Sequence, residues 1–254
     1  MLKRITRRLA ELMGYRISRI PEKSPPAEIE QMGWGVDPVA DIATLVSDIE
    51  SPLVFDVGAF HGEVALALRK KMPASRVFAF EPFPSSFKQL KSNTSHDPAI
   101  HVYEVGFADS AGHRKFSSNE HAPANSLLET DQRGHETWGQ SVLNTTEQVE
   151  VTIDTIDRFV DSNDVECIDV LKLDCQGAEP LVISGASKAL MDRKVRVIYA
   201  EIILQPTYVG QQSFHESLLM YNAAGFELFN IYNLSLTPDG VLRQIDAIFV
   251  RREE

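Results

Sequence analysis

Four carboxylates stand at the ends of apolar runs. Asp56 follows Leu53-Val54-Phe55, Glu81 follows Val77-Phe78-Ala79-Phe80, Asp174 ends Val170-Leu171-Lys172-Leu173, and Glu201 ends Val197-Ile198-Tyr199-Ala200. Runs of this type are strands of a sheet covered on both faces, and an open α/β sheet binds its ligands beyond the carboxyl ends of its strands. Four acids so placed would meet in one crevice. Carboxylates there can hold hydroxyls, neutralise a cation or take up a proton. Lys172 and Asp174 lie two apart, on one face of their strand. A lysine inside a buried strand is costly unless paired, which predicts an ion pair with Asp174 or Glu201. For a reacting hydroxyl, the candidate base is Asp174, or Lys172 with its pKa lowered by burial. Glu201 belongs to the same cluster. Glu179 caps the next helix, polarises the site or touches substrate.

The first two acids carry a nucleotide argument. Asp56-Val57-Gly58-Ala59-Phe60-His61-Gly62 is a strand end and a glycine turn, followed by a helix from Glu63. Glu81 ends the neighbouring strand and can accept hydrogen bonds from both ribose hydroxyls. The turn lacks the full Gly-x-Gly-x-x-Gly pattern, and Glu63 in the first helical turn would repel a pyrophosphate. A ligand with ribose and adenine but no phosphate fits better. S-adenosylmethionine is such a ligand, and its sulfonium suits an acidic crevice. A nicotinamide cofactor stays open at this point.

Alternating elements position these residues. Strands at 53–57, 75–81 and 100–107 alternate with helices at 63–71 and 84–94; alternation resumes with a strand at 168–174, a helix around 178–190 and a strand at 195–201. This is the pattern of a parallel sheet with right-handed crossovers. A helix at 212–224 precedes the strands 226–232 and 245–250, which Thr237-Pro238-Asp239-Gly240 turns into an antiparallel pair. Residues 108–147 break the pattern. They are polar and weakly periodic, and read as an insert whose part from 117 to 147 is a mobile lid.

The bulk numbers narrow the partners. The 254 residues carry a net charge of −11, which disfavours nucleic acid. Two cysteines at 167 and 175 show neither disulfide nor metal spacing, and a reducing, cytoplasmic compartment fits them. The scattered histidines give no metal-ligand pattern, so no metal is expected. Residues 1–20 differ from the rest: six basic residues stand against Glu11, and Leu2, Ile5, Leu9, Leu12 and Met13 share one helical face. A helix packed on the domain is expected there, with contact to a membrane surface or a partner as the alternative. Residues 1–35 thus form a basic helix and linker, and 36–254 the main domain.

Phe55-Asp56-Val57-Gly58-Ala59-Phe60-His61-Gly62, Phe80-Glu81-Pro82 and Leu171-Lys172-Leu173-Asp174-Cys175-Gln176-Gly177-Ala178-Glu179 occur in this order, followed by Glu201, Gly225-Phe226 and Asp246-Ala247-Ile248-Phe249-Val250. Together they resemble the FkbM family of S-adenosylmethionine-dependent methyltransferases over residues 52–251. The resemblance implies an α/β class I methyltransferase fold, a Rossmann-like three-layer sandwich. Its mostly parallel seven-stranded sheet has an antiparallel last strand. It also implies O-methylation of a hydroxyl on a sugar, glycoconjugate or related natural product. The family's Asp-x-Glu-Gly form has Gln176 in place of its glutamate here.

On this reading Gly58 and Gly62 line the methionine part of the cofactor, with Asp56, Ala59, Phe60 and His61 around them and Asp174 nearby. Glu81 and Pro82 hold the ribose, Phe83, Gly106 and Phe107 surround the adenine, and Asp109 takes its amine. Asn125, Ser126, Trp138 and Tyr208 flank the crevice as acceptor contacts. The rival readings are a nicotinamide-dependent oxidoreductase and a catalytically silent cofactor-binding scaffold.

Overall fold

The structure is a computed structural model describing residues 33–139 and 141–252. The basic segment 1–20 and most of the linker expected up to residue 35 lie outside the described residues.

Five strands of one sheet run parallel from the start of the motif region: β1 (Leu53–Val57), β2 (Arg76–Phe80), β3 (Ile100–Tyr103), β7 (Ile168–Leu173) and β8 (Val195–Ile203). The hairpin strands β9 (Phe226–Leu236) and β10 (Leu242–Arg251) complete it. The order is β3-β2-β1-β7-β8-β10-β9, and β10 is antiparallel to both of its neighbours. Every residue of β1 and of β7 is buried, as central parallel strands covered on both faces require.

Helix α1 (Pro38–Leu45) precedes β1, and between the strands lie α2 (Glu63–Lys71), α3 (Pro84–Thr94), α4 (Gly134–Trp138), α5 (Ile156–Ser162), α6 (Glu179–Ser184), α7 (Ser187–Met191) and α8 (Phe214–Ala223). Side chains alternate across β1 and build two cores. Phe55 and Val57 join Ile156, Phe159, Val182 and Tyr221 on one face. Val54 joins Ile42, Ala65, Leu68 and Leu90 on the other. Thus α1–α3 cover one face and α5–α8 the opposite one. The expected helix at 178–190 is broken into α6 and α7 at Gly185, where a Cβ would lie 2.0 Å from the Ala108 carbonyl oxygen.

The expected strand at 100–107 is also two strands. Its second part, β4 (Gly106–Phe107), leaves the main sheet and pairs with β6 (Thr145–Asp154), which pairs antiparallel with β5 (Gly112–Asn119). The insert read from sequence as weakly structured is therefore anchored at both ends. Ala108 and Phe116 of the insert pack with Phe83, Val151 and Ile153.

Chain order creates the crevice. From β1 the chain moves outward through β2 and β3, then returns to β7 on the other side of β1. The two crossovers part beyond the carboxyl ends of β1 and β7, the point at which doubly wound sheets hold ligands.

Candidate active site

A cavity of about 310 Å³ lies at this point, lined by residues of β1, β4, β7 and β8, the loops after β1, β2 and β7, and the insert. That is at the lower end of small-molecule sites, which run from roughly 300 to 1,000 Å³.

Its floor is built on one buried charge pair. Asp56 and Lys172 are register partners across β1 and β7. Lys172 Nζ lies 2.8 Å from Asp56 Oδ1, donates to the Gly58 carbonyl at 2.7 Å and sits 3.8 Å from Asp174 Oδ2. Asp56 is wholly buried, and Lys172 is the cation that answers its charge. Burial presses the Lys172 pKa down, but Asp56 and Asp174 beside it prevail and hold it above the ordinary lysine value. This corrects the expectation that burial makes Lys172 a base. It is a fixed cation that clamps the glycine turn.

The turn itself must be glycine. Gly58 has φ +74°, and a Cβ there would lie 1.9 Å from the Asp174 carbonyl oxygen. The β1 and β7 loops therefore touch at this residue, which joins the two walls of the crevice.

Glu81 forms the neighbouring wall. Its two carboxyl oxygens accept from the Phe60 and Phe83 amides, each at 2.9 Å. Burial pushes its pKa up to about 7 despite these bonds. Each oxygen keeps a further lone pair for a ligand hydroxyl.

Across the cavity, one side-chain amide organises the acids. Gln176 Nε2 donates to Asp174 Oδ1 at 2.9 Å and to Glu201 Oε2 at 2.6 Å. Tyr208 Oη donates to Gln176 Oε1 at 3.0 Å, and Ser126 Oγ donates to the Gln176 carbonyl at 2.8 Å. Gln176 holds a left-handed backbone at φ +51°, followed by Gly177 at +88°. Gln244 on β10 donates to the other oxygen of Glu201 at 2.9 Å. Burial, reinforced by the nearby Asp174, Glu179 and Asp246 carboxylates, holds Glu201 well above the usual carboxylate range. Asp246, on β10 opposite Glu201, accepts from Tyr199 and Asn233 at 2.7 and 2.6 Å.

Of the residues singled out in the sequence, Gly58, Ala59, Phe60, Glu81, Pro82, Gly106, Phe107, Asn125, Lys172, Asp174 and Glu201 line the cavity. The others stand behind it or away from it. Asp56 is fully buried under the floor. His61 stacks on Phe60, and Gly62 packs on Leu90 and Thr94. Phe83 stacks on Phe116 in the core below the insert. Asp109 is exposed and bound by Arg114, so its expected contact with an adenine amine does not follow from its position.

Glu179 is buried and accepts from the Cys175 amide at 2.7 Å, with its pKa pushed up to about 7 by burial. It caps the loop into α6 rather than facing the cavity. Ser126 is buried and acts through Gln176; Tyr208 acts likewise and also donates to the Ala124 carbonyl. Trp138 donates to Thr207 at 2.8 Å beneath the Arg243 guanidinium, away from the lining.

Residues with no sequence-based role also take part. Gln176 stood out only as a departure from a motif, although its place between Asp174 and Gly177 was a signal. Phe116, Ala122, Pro123 and Leu127 line the cavity from the insert, where the sequence has no periodicity to place them.

Comparison with known proteins agrees with this architecture. The chain is 29% identical over 176 residues to the 2-O-methyltransferase NoeI of Sinorhizobium fredii, covering 66% of this chain and 70% of that one. It is 30% identical over 156 residues to the hexuronic acid methyltransferase AglP of Haloferax volcanii, covering 60% and 56%. It is 27% identical over 169 residues to the 31-O-demethyl-FK506 methyltransferase FkbM of Streptomyces tacrolimicus, covering 59% and 65%. The family model described as the methyltransferase FkbM domain matches residues 56–228, from the buried aspartate of β1 into β9. The chain therefore belongs to the FkbM family of S-adenosylmethionine-dependent methyltransferases.

Proposed function

We propose that this protein transfers a methyl group to a hydroxyl of a sugar or glycoconjugate. The observation that carries the reading is the joining of two half-sites in one cavity. Gly58 and Glu81 line one part, and Asp174, Gln176 and Glu201 line the other. Relatives named as O-methyltransferases, and one named for a hexuronic acid, support a hydroxyl acceptor and a carbohydrate.

The first half-site fits S-adenosylmethionine. Glu81 keeps lone pairs for ribose hydroxyls, the Gly58 turn brings backbone close, and Glu63 at the start of α2 disfavours a phosphate. When bound, this cofactor supplies an electrophilic methyl group on a cationic sulfur. A nicotinamide dinucleotide suits the site less well because its pyrophosphate would meet Glu63.

In the second half-site we assign Asp174 as the group that accepts the hydrogen bond, and then the proton, of the acceptor hydroxyl. It is the more exposed acid of the pair held by Gln176, its side chain being 34% accessible. An aliphatic hydroxyl is scarcely ionised at neutral pH, so a base of this type contributes on the order of 10²–10⁴ in rate. Glu201, held at both oxygens by Gln176 and Gln244, orients rather than abstracts. Lys172 fixes the Gly58 carbonyl and the Asp174 carboxylate relative to each other. We propose that residues 117–147 act as a lid, since Asn125 and Leu127 line the cavity from the insert.

Calorimetry with S-adenosylhomocysteine tests the first half-site: micromolar binding is expected, and none would defeat the proposal. Incubation with labelled S-adenosylmethionine and fractionated glycans, lipids and small molecules tests the second. Label in a glycan fraction, located on a hydroxyl by mass spectrometry, is the expected result.

A further inference from the structure

The cavity lining receives hydrogens at many places and gives them at few. Lys172 is spent on Asp56 and the Gly58 carbonyl, and Gln176 on Asp174 and Glu201. The Cys175 thiol donates weakly to the Val57 carbonyl, and the Asn125 amide nitrogen is closed off by its neighbours. Ser86 differs. It lines the cavity, is only 3% exposed, and its hydroxyl has no hydrogen-bond partner among the described residues. A buried hydroxyl without a partner is costly, and its presence beside a cavity points to a ligand atom that completes it.

The place of Ser86 in the chain decides which part of a ligand it meets. It is the third residue of α3, one turn on from Phe83, whose amide holds Glu81. Pro82 also lines the cavity but has no N–H to give. Gly106 packs on Pro82 from β4, since a Cβ there would lie 3.2 Å from the proline ring. The Phe60 and Phe83 amides are both taken by Glu81. On this wall Ser86 is therefore the side-chain donor left over. The first turn of α3 carries no acid, so an electron-rich atom is not repelled there.

We infer that Ser86 binds the adenine of S-adenosylmethionine, its hydroxyl donating to the ring nitrogen N3. This rests on the ribose role given to Glu81 above and extends it to the base. N3 is the acceptor on the sugar edge of adenine. A nucleoside whose ribose hydroxyls reach Glu81 brings that edge to the wall made by Pro82, Ser86 and Gly106. Glu81 then receives hydrogens from the sugar, and Ser86 gives one to the base.

The test is calorimetry on the full chain with two ligands, S-adenosylhomocysteine and its 3-deaza analogue, in which N3 is replaced by a C–H. The wild type should bind the analogue about tenfold more weakly, as a buried hydroxyl left without its acceptor requires. Ser86→Ala should bind the two ligands alike. Ser85→Ala, at the exposed position one residue earlier, should keep the wild-type ratio. A wild-type ratio near one, which needs no variant to measure, overturns the inference. A ratio that Ser86→Ala leaves unchanged does so as well, and both results leave the role of Glu81 in place. Equal affinity of wild type and Glu81→Ala for S-adenosylhomocysteine overturns the ribose role and this inference together.

Discussion

Gln176 and Glu201 are joined by a 2.6 Å hydrogen bond, and the same amide nitrogen reaches Asp174 at 2.9 Å. One NH₂ group thus spaces two acids that would otherwise repel. The two carboxyl groups select the nitrogen end of the amide, and Oε1 then faces the Tyr208 hydroxyl, whose one hydrogen is shared with the Ala124 carbonyl. The spacing of the acids is consequently set from outside the sheet.

Gln176→Glu should therefore be costly in a pH-dependent way. It replaces the shared donor by a third carboxyl group, whose burial among acids raises its pKa in the folded state. Stability from such a group is present below its unfolded pKa and is lost as pH rises through the folded one. Thermal melts should show a small penalty at pH 5 and a larger one, of about 1–3 kcal/mol, at pH 8. An equal penalty at both pH values would contradict the proposed role of the amide.

The buried Lys172–Asp56 pair supports a second prediction. Lys172→Met leaves Asp56, which is fully buried, without its counter-charge. Loss of one partner of a buried pair costs about 3–5 kcal/mol. Urea unfolding should show this loss. The double variant Lys172→Met/Asp56→Asn should regain much of it, because no charge is then stranded. If the single and double variants unfold alike, charge balance is not what this pair provides.

Glu81 and Glu179 predict how stability varies with pH. Burial is the leading cause in both, and both are pushed up to about 7 from an unfolded value of 4.5. The folded state therefore binds more protons between these limits, and stability falls as pH rises through that window. Each group accounts for about 3 kcal/mol over the full window. The difference in unfolding free energy between wild type and Glu179→Gln should change by about that amount from pH 4.5 to pH 7.5. A constant difference would show that Glu179 is not held protonated.

Glu81 carries a separate expectation. Ribose hydroxyls donate best to an ionised carboxylate. S-adenosylhomocysteine binding should tighten from pH 6 to pH 8 and release protons, as read by calorimetry in buffers of different ionisation enthalpy. Glu81→Ala should weaken it by about tenfold or more, the value of a hydrogen bond to a charged group.

Much of this arrangement was legible in the sequence because burial leaves a strong trace. The strands β1, β7 and β8 are continuous apolar runs, and each ends near an acid. Their parallel pairing and the final antiparallel hairpin followed from alternation and from Thr237-Pro238-Asp239-Gly240. What escaped was set by tertiary contact. Phe107 looked continuous with Ile100, yet the chain changes sheets between Tyr103 and Gly106. Lys172 pairs with Asp174 as expected, but its closer partner is Asp56, more than a hundred residues earlier and invisible from strand spacing. Asp109 lay near the right strand but is bound by Arg114. Phe116, Pro123 and Leu127 reach the cavity from a stretch whose order comes from pairing with β6 rather than from any local period.

The insert also predicts a ligand effect. The cavity holds about 310 Å³, and residues from 116 to 127 form part of its wall. A ligand filling it should pin that wall, so limited proteolysis between residues 120 and 142 should slow when S-adenosylhomocysteine is present. Equal cleavage with and without the ligand would separate the insert from cofactor binding.

The place of β10 in the sheet has a consequence for how the chain reaches its folded state. Strand β9 is made first, yet it touches the sheet only through β10, which follows it. Until residues 242–251 emerge from the ribosome, β8 has a bare edge carrying Glu201, and β9 has no neighbour. A bare hydrophobic edge is a template for pairing with other chains. Synthesis arrested near residue 241 should therefore yield an aggregating product rather than a smaller folded one. The side of the cavity that holds Glu201 against Gln244 can be completed only after residue 244 has been made.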